Sequence, residues 1–127
     1  MAAKSRNQPA AKTEPKTEAL KAISGFVSAD QDGDFHKILN DRVRLGIVSS
    51  LAVTNKLTFG ELKQLLDVSD GNLSVHARKL EDAGYVNINK SFEGRVPKTE
   101  FSISQKGRKT LKRYLKHMEA LIKATSN

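Results

Sequence analysis

After Phe35 the apolar residues return at steps of three and four, except in one stretch where they alternate at steps of two. In HKILNDRVRLGIVSSLAV, residues Ile38, Leu39, Val43, Ile47, Val48 and Leu51 share one helical face. Asn40 or Asp41 stands where it can cap the run that begins at Val43. LTFGELKQLLDV opens with Thr58 and Glu61 at capping-box spacing and turns Phe59, Leu62, Leu65 and Leu66 inward before ending at Asp67. In SDGNLSVHARKLEDAGYV, a helix behind Ser69 carries the narrow stripe Leu73, Ala77 and Leu80, and Gly84 closes it. The connection between these two helices, VSDG, is so short that the pair reads as a helix-turn-helix. Tyr85 to Lys90 and Lys98 to Ile103 then alternate as half-buried strands, with SFEGRVP between them. Gly94 supplies a turn and Pro97 limits pairing. Ser104 caps a last helix reaching about Ala124, with Leu111, Tyr114, Leu115, Met118, Leu121 and Ile122 in a stripe.

The chain before Phe35 lacks this regularity. Residues 1 to about 15, with Pro9 and Pro15, predict disorder, and TEALKAISGFV (17–27) is a short helix candidate with Leu20, Ile23 and Val27 on one side. SADQDGD reads as an acidic linker, because the twelfth position of a calcium loop starting at Asp30 would be Asp41 where a glutamate is required. The expected organisation is therefore a largely disordered or weakly helical tail over 1–34 and a folded domain over 35–127. Its class is mainly α with a small β-hairpin (α+β), and the order helix, helix-turn-helix, hairpin and long helix is that of a winged helix-turn-helix. About 90 residues bury a small core without help from metal or disulfide.

Charge sharpens this picture. Residues 1–34 carry five basic and five acidic groups, whereas residues 85–127 hold ten Lys and Arg against Glu93, Glu100 and Glu119, a net +7 of the chain's +8. A local excess of that kind favours a polyanionic partner. With no cysteine, the chain excludes thiolate ligation, a disulfide framework and a cysteine nucleophile. It has no long apolar run and no signal-like start, so the expectation is a soluble, cytoplasmic protein without membrane contact. No phosphate loop or nucleophile–base–acid set is present, and His36, His76 and His117 lack metal-site spacing, so neither an enzyme nor a cofactor is expected. His76, next to the stripe residue Ala77, is expected to be a partly buried structural histidine.

In a winged helix-turn-helix the second helix of the pair (here about 70–83) lies in the major groove and the hairpin (about 85–103) lies along the backbone or minor groove. The outward face of that helix carries Asn72, Ser74, Val75 and Arg78. Asn pairs with adenine, Arg with guanine, Ser with either, and Val touches a thymine methyl. Arg95 at the hairpin tip, flanked by Lys90 and Lys98, is placed for phosphate or minor-groove contact, while Phe92 is expected to pack under the hairpin. The basic run QKGRKTLKRYLKH divides between phosphate contact and a solvated face. The stripe Leu111, Leu115, Met118 and Ile122 continues beyond what one small core covers, which suits a dimer through the helix at about 104–124.

DRVRLGIVSSL and LTFGELKQLLDVSDGNLSVHARKLEDAGYVNINKSFEGRVPKTEFSISQKGRKTL together resemble the winged-helix transcriptional regulators of the MarR/ArsR type, over roughly residues 40 to 112. Ala77 departs from the larger leucine expected there, and Ser104 replaces the usual threonine while keeping the cap. The resemblance implies a homodimeric, sequence-specific regulator on palindromic double-stranded DNA, its effector and target genes unspecified. The alternative is a non-specific architectural or chromatin-type DNA-binding protein, for which the residues on the outward face of the second helix would be idle.

Overall fold

Asp41 is where the folded body begins to take its shape. In the computed structural model, which describes residues 10–28 and 35–126, helix α2 (Phe35–Leu39) stops just before it and α3 (Arg42–Thr54) starts just after it. The Asp41 carboxylate accepts the backbone N–H groups of Val43 (2.9 Å) and Arg44 (3.0 Å), so the predicted cap is present and divides the run into two helices. A three-residue strand, β1 (Lys56–Thr58), follows and was not foreseen, being too short to display alternation. Thr58 also caps α4 (Phe59–Leu66), with both arms of the Thr58–Glu61 capping box closed. Helix α5 (Asp70–Asp82) starts from the Ser69 cap. It ends in a pair of reverse bonds, Tyr85 N–H to the Leu80 carbonyl and Gly84 N–H to the Glu81 carbonyl, with Gly84 at φ +83°.

The hairpin is longer than alternation suggested. Strands β2 (Val86–Glu93) and β3 (Val96–Ile103) pair antiparallel from Val86↔Ile103 out to Glu93↔Val96, which leaves only Gly94 and Arg95 as the turn. Gly94 has φ +66° in the first turn position, where glycine avoids the left-handed penalty. β1 pairs with β3 through Lys56↔Ser102, Leu57↔Phe101 and Thr58↔Glu100 only. The sheet is therefore three-stranded at its base, and beyond Thr99 it projects as a two-stranded ribbon. Pro97 lies in that ribbon, where β3 has no partner on its other side to miss an N–H.

Phe101, Leu39, Ile47, Val48, Leu51, Leu62, Leu73, Leu80 and Val86 are fully buried, and the Phe101 ring lies 6.2 Å from that of Phe59. Leu65 is exposed rather than inward. On a helix of 100° per residue, Phe59, Leu62 and Leu66 cluster on one side and Leu65 falls about 90° away. Ala77, the small residue in the α5 stripe, is buried.

Helix α6 (Gln105–Thr125) is held at its start by one side chain. Ser104 Oγ accepts the Gly107 N–H (2.9 Å) and donates to the Gly84 carbonyl (2.6 Å), while the Ser104 N–H bonds the Tyr85 carbonyl (3.0 Å). Gly107 makes the approach possible, since a Cβ there would sit 2.1 Å from the Tyr85 carbonyl oxygen. Two basic side chains of the same turn cap other helices. Lys106 Nζ donates to the Ala83 carbonyl at the end of α5 (3.0 Å) and lies 5.5 Å from the Tyr85 ring centre; Arg108 reaches the Ala52 carbonyl and the Asn55 side chain at the end of α3.

The chain forms two compact units, residues 34–114 and a second made of α1 (Ala10–Ser28) with α6 from Leu115 onward. Helix α1 is longer than the 17–27 segment expected, in keeping with the strong helix formers Ala, Lys and Glu along it. Residues 1–9 and the acidic linker from Ala29 to Asp34 lie outside the described residues, as does the side chain of His36.

Gly107→Ala is expected to destabilise the fold by about 2 kcal/mol or more, because backbone must move. Gly60→Ala, on an exposed helix position with nothing near its Cβ, is expected to raise stability by about 0.5–1 kcal/mol. Thermal melts of the two variants read this difference in sign. Asp41 supplies a pH test. Partial burial alone would raise its carboxyl pKa, but the Arg44 N–H, the charges of His76 and Arg44, and the Val43 N–H outweigh that and lower it. A lowered folded-state pKa means that the cap's contribution is complete above the ordinary carboxylate range and is lost as pH falls through the lowered value. Asp41→Ala should therefore cost about 1 kcal/mol at neutral pH, with the gap to wild type closing only in acid.

Candidate nucleic-acid interface

Helix α5 has a fixed back and a free front. Leu73, Ala77 and Leu80 are buried, and His76 between them is partly covered. The His76 ring Nδ1 stands 3.0 Å from Arg44 Nη1 and 3.7 Å from Asp41 Oδ1. A guanidinium only donates, so His76 accepts this bond at Nδ1 when the ring is neutral, and the same nitrogen faces the Asp41 carboxylate when the ring is charged. Arg44 Nε in turn donates to the Ile38 carbonyl (2.6 Å). One arginine of α3 thereby links α2, the Asp41 cap and the back of α5. Sequence had placed His76 as structural, and its contacts are structural. Across the helix turn, Lys63 Nζ meets Asp70 Oδ1 at 2.8 Å on the surface, which occupies the one carboxylate at the start of α5.

The front of α5 is as expected: Asn72, Ser74, Val75 and Arg78 are all exposed. Ser74 and Arg78 border a groove whose opposite wall is the hairpin, with Phe59, Glu81, Ile88 and Lys90 also lining it. In β2 the residues Ile88, Lys90 and Phe92 alternate onto one ribbon face, opposite Phe101, Thr99 and Pro97 of β3. That face looks onto α5. Lys90 is its exposed cation, and its paired positions carry no carboxylate.

The other ribbon face is different. Glu93, Lys98 and Glu100 lie there together, with Lys98 Nζ 3.3 Å from Glu93 and 3.8 Å from Glu100. The hydrogen bond from Lys98 to Glu93 and the charge of Glu100 raise the Lys98 pKa. Lys98, expected to flank Arg95 in contacting DNA, is thus paired within its own ribbon face. Its charge is taken by two carboxylates of the same face, and it is not joined with Lys90 and Arg95 in one basic cluster. Arg95 stands in the exposed turn where it was expected. Phe92 does not pack under the hairpin: it is 72% exposed, because the ribbon has left the core before reaching it.

The C-terminal stripe also divides. Leu111 is buried in the body of the 34–114 unit and offers nothing to a partner, whereas Leu115 and Ile122 are exposed in the single chain and Met118 is half-buried. Of the basic run before them, Lys106 and Arg108 are engaged in capping helix ends, a use that the sequence signals only as a cluster of charge. Among the described residues no group of three His, Cys, Asp or Glu could hold a metal, and no helix is long and apolar enough to cross a membrane.

Comparison with known proteins agrees with this geometry. The winged helix DNA-binding domain family matches residues 43–122. An uncharacterized protein of Methanocaldococcus jannaschii is 42% identical over 80 residues, 62% of this chain and 86% of that one. The solved structure of a transcriptional regulator homologue protein from Pyrococcus horikoshii OT3 is 30% identical, with a TM-score of 0.72, covering 84% of this chain and 99% of its own. Bacillus subtilis PadR, solved in complex with operator DNA, shares the fold at 14% identity and a TM-score of 0.53, over 59% of this chain and 48% of PadR. The resemblance seen in the residues holds, and the chain belongs to the winged helix DNA-binding domain family.

Proposed function

We propose that this protein is a sequence-specific transcriptional regulator that binds double-stranded DNA as a homodimer, with α5 in the major groove and the hairpin against the backbone or minor groove. The observation that carries this reading is the division of α5. Its back is immobilised by Leu73, Ala77, Leu80 and the Arg44–His76 contact, while its front offers Asn72, Ser74, Val75 and Arg78 beside a ribbon face free of carboxylates. A helix meant only to attract phosphate needs cations, not an amide, a hydroxyl and an apolar side chain in a row. Arg95 and Lys90 supply backbone attraction, and the +8 charge draws DNA in.

The homodimer rests on apolar side chains that a single chain leaves uncovered. Leu115 and Ile122 on α6 and Leu20 and Val27 on α1 belong to one unit and are 46–70% exposed. A second copy covering them would give the assembly two α5 helices, one for each half of a palindromic site.

Selection from a random duplex pool, followed by competition binding at fixed salt, tests the specific reading against the architectural one. Arg78→Ala is expected to weaken the selected duplex by about tenfold or more while changing random duplex little. Arg95→Ala should weaken both and lower the salt slope by about one, and Lys98→Gln should leave the slope unchanged. Equal affinity of the wild type for selected and random duplexes would instead support the architectural reading. Sedimentation of Leu115→Asp/Ile122→Asp should show a monomer where the wild type is a dimer; a wild-type monomer contradicts the assembly.

A further inference from the structure

We infer that Phe92 is an apolar wedge that enters the minor groove and unstacks a base step, so that the hairpin reads how easily the DNA deforms. The inference rests on the DNA-binding reading above and adds a contact of different chemistry from the hydrogen-bonding front of α5.

Four observations converge on this side chain. First, Phe92 is 72% exposed, and its cross-strand partner Pro97 is exposed as well, so the end of the ribbon presents an apolar pair to solvent. Second, it lies beyond the base of the sheet. The last pair with a buried member is Ile88↔Phe101, and four further residues at a strand's rise carry Phe92 roughly 13 Å outward, more than the roughly 7.5 Å depth of a minor groove. Third, Phe92 shares its face with Ile88 and Lys90, the face that lines the groove with Ser74 and Arg78. The ring is therefore presented on the side where α5 presents its reading residues.

The fourth observation is charge. The opposite face holds Glu93 and Glu100 with Lys98 between them, an ion cluster that phosphate would repel. The Phe92 face holds Lys90, and Arg95 follows in the turn. Cations on either side of an apolar ring match the needs of a wedge: phosphate attraction draws the ribbon in, and the ring then occupies the space opened between two base pairs. The chemistry commits the occupant to stacked bases and not to another protein's apolar pocket, which Lys90 and Arg95 would have to leave unpaired. A flexible pyrimidine–purine step opens most easily, so the preferred site should contain TA or CA/TG where the ribbon lands.

The test uses the full chain and a duplex selected by it from a random pool, with 2-aminopurine placed in turn at steps flanking the segment protected by α5. Wild type is expected to raise the fluorescence at one flanking step at least twofold, and the selected sequences should share a pyrimidine–purine step there. Phe92→Ala should abolish the rise and weaken binding roughly tenfold, and Phe92→Leu should keep part of both. Its melting temperature should match wild type, since the side chain is exposed. Val96→Ala, on the opposite face, should keep the rise in full. Tight wild-type binding with silent 2-aminopurine at every flanking step, or an unchanged rise in Phe92→Ala, overturns the wedge and leaves the DNA-binding reading standing. Failure of the wild type to bind any duplex overturns both.

Discussion

The close approach of α6 to the corner between α5 and β2 is the constraint on which the rest depends. Gly107 lets the first turn of α6 lie directly on the Tyr85 carbonyl, and Ser104 ties the Gly84 and Tyr85 carbonyls to the helix start. Lys106 adds a bond to the last turn of α5, and Arg108 one to the last turn of α3. One turn of helix thus sets the angle between the helix that would read bases and the ribbon that would follow the backbone. Neither could vary without breaking these hydrogen bonds or moving the Tyr85 carbonyl off Gly107, and in the proposed complex that constraint would hold the two elements in register on one duplex.

The same residue type serves opposite ends along this chain, and burial or pairing decides which. Lys106, Arg108, Arg44 and Lys98 direct donors to groups of the same molecule, namely carbonyls, an imidazole and carboxylates, and Lys106 and Arg108 do so from exposed positions. Arg78, Lys90 and Arg95 are exposed and are the cations proposed to meet DNA. In the C-terminal half, pairing with carboxylates offsets the charge of Lys98, whereas Lys106 and Arg108 keep theirs at the surface. The two ribbon faces repeat this at smaller scale, one holding a neutralising ion cluster and the other a cation beside an apolar ring.

Much of this was legible in the chain because local chemistry and tertiary structure agree. The Asp41, Thr58, Ser69 and Ser104 caps, the Gly84 stop and the buried Leu73–Ala77–Leu80 stripe are all local signals, and each appears where its residues place it. What escaped depends on partners distant in sequence. Strand β1 is visible only through its pairing with β3, some 44 residues on. The capping roles of Lys106 and Arg108 need the ends of α5 and α3, and the neutralisation of Lys98 follows from strand register, which alternation alone does not fix. Phe92 looked like a packing residue because aromatic side chains usually bury. The ribbon carries it clear of the core, which no count of hydrophobic spacing reveals. Leu111 was read with Leu115, Met118 and Ile122 as one stripe, although the domain's own core takes the first of them.

The central claim is that DNA meets the front of α5 and the Lys90 face of the ribbon together. Titrating uniformly 15N-labelled protein with a duplex that it has selected, and following the amide shifts, tests this most directly. The account predicts the largest changes at Asn72, Ser74, Val75, Arg78, Lys90, Phe92 and Arg95, with Lys98 and Glu100 nearly still. Changes confined to Lys109, Lys112 and Arg113 on α6, with α5 silent, would contradict it.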